Sequence, residues 1–110
     1  EYVDAEKIIN SGGEVAIASD YNPGSCTIQS MPMIMFLSNL FCKLSLDQSF
    51  KACTYNPAKA LKINHKLGLI KKGYIADLLI WNIKELSEIP YMFDNEDRFI
   101  KVIKNGNIVN

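Results

Sequence analysis

Asp20, Asn22, Gly24 and Ser25 have the residue types and spacing best suited to chemistry in this sequence. They lie in Val15-Ala16-Ile17-Ala18-Ser19-Asp20-Tyr21-Asn22-Pro23-Gly24-Ser25-Cys26, an apolar run of buried-strand character that stops at a carboxylate and enters a polar turn. In sheets and barrels of parallel strands, reactive groups gather at the carboxyl ends of strands, where loops vary on a rigid scaffold. Asp20 holds such a position. The same residues have a plainer reading: an aspartate also serves as a cap or turn former, and Asn22-Pro23-Gly24 is a turn sequence in its own right. Ser25 and Cys26 have no histidine nearby in sequence to activate them, which argues against nucleophilic catalysis. His65, the one histidine, sits between Asn64 and Lys66 and reads as a solvated residue near a helix end. Asp94, Glu96 and Asp97 lack the spacing and the glycine of a calcium loop and read as a solvated loop.

The elements that position Asp20 follow from periodicity. Apolar residues at 2, 5, 8 and 9 predict a helix over 2–10, which Ser11-Gly12-Gly13 stops before a strand over 15–20. Helix, glycine turn and strand together resemble half of a repeating β/α unit. Downstream, Ser30 is an N-cap with Pro32 in the first turn. The helix that follows carries Met33, Ile34, Phe36, Leu37, Leu40, Phe41 and Leu44 around nearly its whole circumference, which predicts burial on all sides. Met31, Met33, Met35 and Phe36 are core filler. A second helix is predicted over 45–52, with Ser45 as cap and Asp47 and Gln48 in its first turn. A third is predicted over 58–63, capped by Thr54-Tyr55-Asn56-Pro57. Residues 67–74 form a turn-rich link to a strand over 76–81, with apolar groups on both faces and Trp81 as a core residue. A helical turn is expected over 85–89. Strands over 98–104 and 107–109 flank Asn105-Gly106, a strong hairpin signal because both residues tolerate positive φ.

Composition narrows the class. A chain of 110 residues with 48% hydrophobic and 22% charged residues is globular, and its twelve basic and twelve acidic residues leave no net field for nucleic acid or an anionic membrane. Three cysteines without a CxxC spacing argue against a disulfide framework and a thiolate zinc site, and favour a reducing, cytoplasmic setting. The apolar run over 31–46 is interrupted by Ser38, Asn39 and Lys43 and is shorter than the roughly 20 residues of a spanning helix. No basic signal-peptide region opens the chain. One apolar strand, one helix apolar all round and a separate β segment do not close a core by themselves. The expectation is a carboxyl-terminal part of a longer polypeptide.

Ser19-Asp20-Tyr21-Asn22-Pro23-Gly24-Ser25-Cys26, with Ser30-Met31-Pro32 after it, resembles the imidazolonepropionase family of metal-dependent amidohydrolases. The resemblance continues through Thr54-Tyr55-Asn56-Pro57-Ala58-Lys59-Ala60-Leu61, Gly68 and Gly73-Tyr74-Ile75-Ala76-Asp77-Leu78-Leu79-Ile80-Trp81. It ends with Ile89-Pro90-Tyr91 and Val102-Ile103-Lys104-Asn105-Gly106. The Asp-Tyr-Asn-Pro-Gly-Ser turn is its most specific part. The resemblance implies an α/β fold: residues 1–67 form the end of a (β/α)8 barrel, with 15–20 as the eighth strand, and residues 68–110 return to a small β-sandwich. It implies hydrolysis of the cyclic amide of 4-imidazolone-5-propanoate to N-formimidoyl-L-glutamate, the ring-opening step of histidine degradation. By the same resemblance Asp20 is the metal ligand and catalytic proton acceptor, and Asn22, Gly24 and Ser25 bind substrate or product. The cofactor is one divalent metal ion, zinc or iron. A carboxylate is a hard oxygen ligand and a base for water, and the N–H, amide and hydroxyl groups of the turn suit an anionic propionate tail.

The family also needs a His-x-His pair and a further histidine, whereas this chain has His65 alone, in a segment where the family has no ligand. The remainder of the barrel is therefore the expected partner supplying histidine ligands, in a homodimer, and the chain by itself is expected to be inactive. Two other readings compete. One keeps the superfamily with a deaminase or dihydroorotase-like substrate. The other is a non-enzymatic α/β interaction module whose apolar helix is a partner-binding face.

Overall fold

The computed structural model describes residues 2–94 and 99–110, so Glu96, Asp97 and Arg98 lie outside the described residues. Along the chain the elements are α1 (Ala5–Asn10), α2 (Met31–Phe41), α3 (Leu46–Cys53), α4 (Tyr55–Ala60), β1 (Leu78–Trp81), α5 (Glu88–Tyr91), β2 (Phe99–Lys104) and β3 (Asn107–Ile108).

The helix starts are fixed by side-chain caps. Asp4 accepts from the Lys7 N–H at 3.2 Å, so α1 begins three residues later than the apolar spacing predicts, leaving Tyr2 and Val3 outside it. Ser30 caps α2 through the Met33 N–H, with proline in the first turn. Ser45 and Gln48 form a reciprocal capping box at α3. Helix α4 starts earlier than predicted, at Tyr55, with Pro57 inside its first turn. The N–H groups there have no helical partner, so proline removes nothing. Thr54 does not cap it; its hydroxyl donates to the Phe50 carbonyl at 2.7 Å.

Ala5, Leu44 and Ala52 form the buried cluster between α1 and α3, with Ile9, Val15, Ile17 and Cys42 packed against it. Small residues at Ala5 and Ala52 let the helices and the 13–20 segment approach closely. The predicted burial of α2 on all sides is not met. Only Met35 and Ser38 are buried, while Leu40 and Phe41 are 58% and 44% exposed. The exposed residues are at the carboxyl end of α2, which packs chiefly on α3 and α5, and Phe41 stacks on Tyr2 with ring centroids 4.7 Å apart.

Residues 61–77 are tied to one another rather than looping freely, and Gly68 lies against α4. The Tyr74 hydroxyl donates to the Asn64 carbonyl at 2.7 Å, and the Ile75 N–H donates to the Lys66 carbonyl at 2.9 Å. Gly68 has φ of +95°, and a Cβ there would come within 2.9 Å of the Ala58 Cβ. Only glycine lets the link lie this close to α4.

The three strands form an antiparallel sheet in the order β1-β2-β3, with Leu78 opposite Ile103, Leu79 opposite Val102 and Ile80 opposite Lys101. The register shifts between Ile80 and Trp81, so Trp81 pairs with Phe99 in the ladder. Trp81 is half-buried, and Leu79 and Ile80 are exposed on β1. The predicted hairpin is present, with Asn105 at φ 50° and Gly106 at φ 81°. Its turn is held from outside the hairpin: Asp77 accepts from the Asn105 N–H at 2.8 Å and pairs with Lys104, and the Gly106 N–H reaches the Ala76 carbonyl at 2.9 Å. The helical turn foreseen at 85–89 lies at α5, with Pro90 inside it, and α5 packs on α2 with Phe36 and Phe93 rings 5.1 Å apart.

Candidate functional site

Residues 15–20 lie in no sheet ladder among the described residues. Val15, Ile17 and Ser19 are half-buried while Ala16, Ala18 and Asp20 are exposed, the period-two alternation of extended chain. The backbone on the inner side is bonded to helices and a side chain instead of to a strand. The Ile17 N–H donates to the Ala52 carbonyl at 2.9 Å, and the Asn56 amide donates to the Val15 carbonyl at 2.7 Å. Lys59 pairs with Glu14 at 2.6 Å just upstream. That ion pair holds the Glu14 carboxyl below its usual range. The segment therefore has one face fastened to the helical layer and one open face of two alanines ending in Asp20.

At Asp20 the backbone turns through φ of 51°, a left-handed conformation that aspartate tolerates better than most side chains. Among the described residues its carboxylate forms no hydrogen bond or ion pair, and it is exposed.

Asn22 is built differently. Its Oδ1 accepts from the N–H groups of Gly24 and Ser25 at 2.9 and 2.8 Å, while its Nδ2 donates to the Asp20 carbonyl at 2.6 Å and lies 3.1 Å from the Ser25 Oγ. Two converging N–H donors fix which end of the amide is oxygen. The Asn22 N–H donates to the Cys26 carbonyl at 2.8 Å, closing the turn, and the Cys26 Sγ reaches the Ser19 carbonyl at 3.0 Å. The structure thus brings Asp20, Asn22, Gly24 and Ser25 into one turn, as the sequence predicts. It also corrects the expectation that the turn's N–H and amide groups stand ready for an anion. Those of Asn22, Gly24 and Ser25 are engaged inside the turn, and the Ser25 hydroxyl also donates within it, to the Asn22 Oδ1 at 3.2 Å.

The Asn-x-Gly-Ser spacing was the sequence signal for this ring, since asparagine side chains bond the backbone two and three residues on. His65 is exposed and takes no part. Among the described residues no group of three or more histidine, cysteine, aspartate or glutamate side chains could hold a metal. Asp20 suits a divalent cation as one oxygen donor, being a carboxylate engaged by no cation among the described residues, but those residues do not complete a site. The three cysteines are free, and burial pushes the Cys53 thiol pKa up.

The sequence model of the amidohydrolase family matches residues 1–109. The chain belongs to the amidohydrolase family. Curated relatives within reach of this amidohydrolase chain carry the name imidazolonepropionase. That of Kosmotoga olearia is 40% identical over 103 residues, covering 94% of this chain and 25% of that protein. That of Alkaliphilus oremlandii is 36% identical over 115 residues, covering 99% and 27%. That of Staphylococcus aureus strain Newman is 38% identical over 109 residues, covering 99% and 26%. The chain spans about a quarter of the length of these relatives. Two solved structures share the fold. The crystal structure of an uncharacterized protein matches with a TM-score of 0.73 and 23% identity, over 96% of this chain and 25% of that one. A prolidase complexed with N-methylphosphonate-L-proline matches with a TM-score of 0.71 and 24% identity, at the same coverage. An amidohydrolase-type partial domain of helices and a small antiparallel sheet is what the two share with this chain. No helix among the described residues is long and apolar enough to cross a membrane.

Proposed function

We propose that this chain is the carboxyl-terminal quarter of an imidazolonepropionase. In this reading residues 1–67 complete a (β/α)8 barrel, with 15–20 as its last strand, and residues 68–110 belong to the companion β-sandwich. The enzyme hydrolyses 4-imidazolone-5-propanoate to N-formimidoyl-L-glutamate. The observation that carries the reading is the carboxylate of Asp20, engaged by no other group among the described residues and placed at the end of the one face of residues 15–20 that the helices leave open. The names of the curated relatives support the substrate.

Asp20 would hold one divalent ion, zinc or iron, together with histidines from the remainder of the barrel. When bound, that ion would polarise the substrate carbonyl and lower the pKa of water. The part this chain takes is proton transfer and positioning. Water oxygen adds to the ring carbonyl carbon, and Asp20 accepts the proton. The carbon–nitrogen bond of the ring then breaks, the carbon becomes a carboxyl group, and the proton passes to the departing nitrogen. Asn22, Gly24 and Ser25 would border the substrate. The setting is cytoplasmic and the assembly a homodimer.

The test is Asp20→Asn in the intact hydrolase, meaning this chain with the rest of its barrel. Turnover of 4-imidazolone-5-propanoate is expected to fall by about 10²- to 10⁴-fold, the usual contribution of a positioned acid–base group. Turnover within threefold of the parent, or parent activity confined to another cyclic amide, overturns the reading.

A further inference from the structure

We infer that Asn56 is a positioning residue for Asp20: reaching in from α4, its carboxamide fixes which edge of residues 15–20 lies against the helices. The inference rests on the role proposed for Asp20. The Asn56 Nδ2 donates to the Val15 carbonyl at 2.7 Å, a bond that spans 41 residues of sequence. Two residues on, the Ile17 N–H donates to the Ala52 carbonyl at 2.9 Å. Where residues alternate with a period of two, the backbone polar groups of positions i and i+2 share one edge, so these bonds fasten a single edge at two successive points. A slip of one residue would exchange the two faces. Val15, Ile17 and Ser19 would turn outward, and Asp20 would turn toward the helical layer. No sheet ladder among the described residues fixes the register of this segment, and of its two bonds to the helices only that of Asn56 is made by a side chain.

The other end of the same carboxamide carries a cost. The Asn56 Oδ1 is buried and has no hydrogen-bond partner among the described residues. A buried acceptor without a donor lowers stability by as much as a well-made hydrogen bond raises it, or more. On balance the Asn56 side chain adds little to stability, and what it supplies is the hold on Val15. The Lys59–Glu14 pair from the same helix is the contrast, since both side chains are about half exposed and such pairs fasten weakly.

The experiment compares Asn56→Leu, Lys59→Met and Asp20→Asn in the intact hydrolase, reading zinc affinity by chelator competition, kcat and KM separately, and the circular dichroism melt. Asn56→Leu removes the donor to Val15 together with the orphaned acceptor. Its melt is expected within a few degrees of the parent, while kcat falls by at least about 10-fold, toward the roughly 10²-fold that a misplacement of about 1 Å can cost, and KM changes less than about threefold. Zinc binding is expected to weaken by about 10-fold, the low end for residues that orient a metal ligand. Lys59→Met should leave kcat and zinc affinity within about threefold of the parent. A lowered melt for Asn56→Leu with kcat and zinc affinity preserved would make Asn56 merely structural and overturn the inference. If Asn56→Leu fails to fold, Asn56→Ser, whose hydroxyl is too short to span to Val15, is judged by the same changes in kcat and zinc affinity. Failure of the underlying reading has a different mark: Asp20→Asn would then itself leave zinc affinity and turnover unchanged.

Discussion

Two turns in this molecule each contain a non-glycine residue at positive φ, and each is clamped by a side chain reaching across. At the hairpin, Asn105 has φ of 50° and the clamp is the carboxylate of Asp77, which takes the Asn105 N–H and the Lys104 ammonium. At the other turn, Asp20 has φ of 51° and the clamp is the neutral carboxamide of Asn22. The geometry is matched and the use of the acid is opposite. Asp77 has its charge compensated, and its pKa is held below the ordinary 3.8, chiefly by the Lys104 hydrogen bond and then by the Asn105 N–H. The Asp20 carboxylate takes no part in holding its turn and has no hydrogen bond or ion pair among the described residues. Asp77 is a structural acid, and the role proposed for Asp20 rests on its carboxylate being outside the bonds of its own turn.

Substitutions at the two turns should separate accordingly. The largest effect belongs to Asp20→Asn, with kcat lowered by about 10²- to 10⁴-fold and a melt within a few degrees of the parent. Equal losses of stability and activity there would erase the contrast. Next is Gly106→Ala at the hairpin, where a Cβ would meet open space but φ is +81°. The cost is then backbone alone, about 1–2 kcal/mol by denaturant unfolding, with kcat unchanged. Ser45→Ala, remote from both turns, removes half of the capping box at α3 and should cost about 1 kcal/mol, again without effect on kcat. The smallest effect is the acid dependence of Asp77. Because its folded pKa is depressed, its contribution is complete above the unfolded pKa and is lost as pH falls through the folded one. Asp77→Asn should therefore lower the melting temperature at pH 7 and flatten the decline of stability below about pH 4.

The parts of this fold that were legible in the sequence are those set by local chemistry. The Ser30 and Ser45 caps, the proline in the first turn of α2 and the Asn105-Gly106 hairpin each depend on residues a few positions apart. What was not legible depends on distant partners. Residues 15–20 have a strand's composition, yet their backbone is bonded to Ala52 and Asn56, a pairing that no periodicity encodes. The apolar circumference of α2 predicts full burial, but how much is covered depends on what lies opposite, and Leu40 and Phe41 remain exposed. At the site, the grouping of Asp20, Asn22, Gly24 and Ser25 could be read from their closeness in the chain. The inward direction of the Asn22 amide could not, since the same residue types suit an outward, ligand-facing turn equally well.

The most direct measurement is zinc affinity alongside melting temperature for Asp20→Asn and Asp77→Asn in the intact hydrolase. The account predicts that Asp20→Asn loses zinc affinity and keeps its melt, whereas Asp77→Asn keeps zinc affinity and melts lower. Parent-like zinc binding by Asp20→Asn, or a loss of zinc shared equally by both variants, would contradict it.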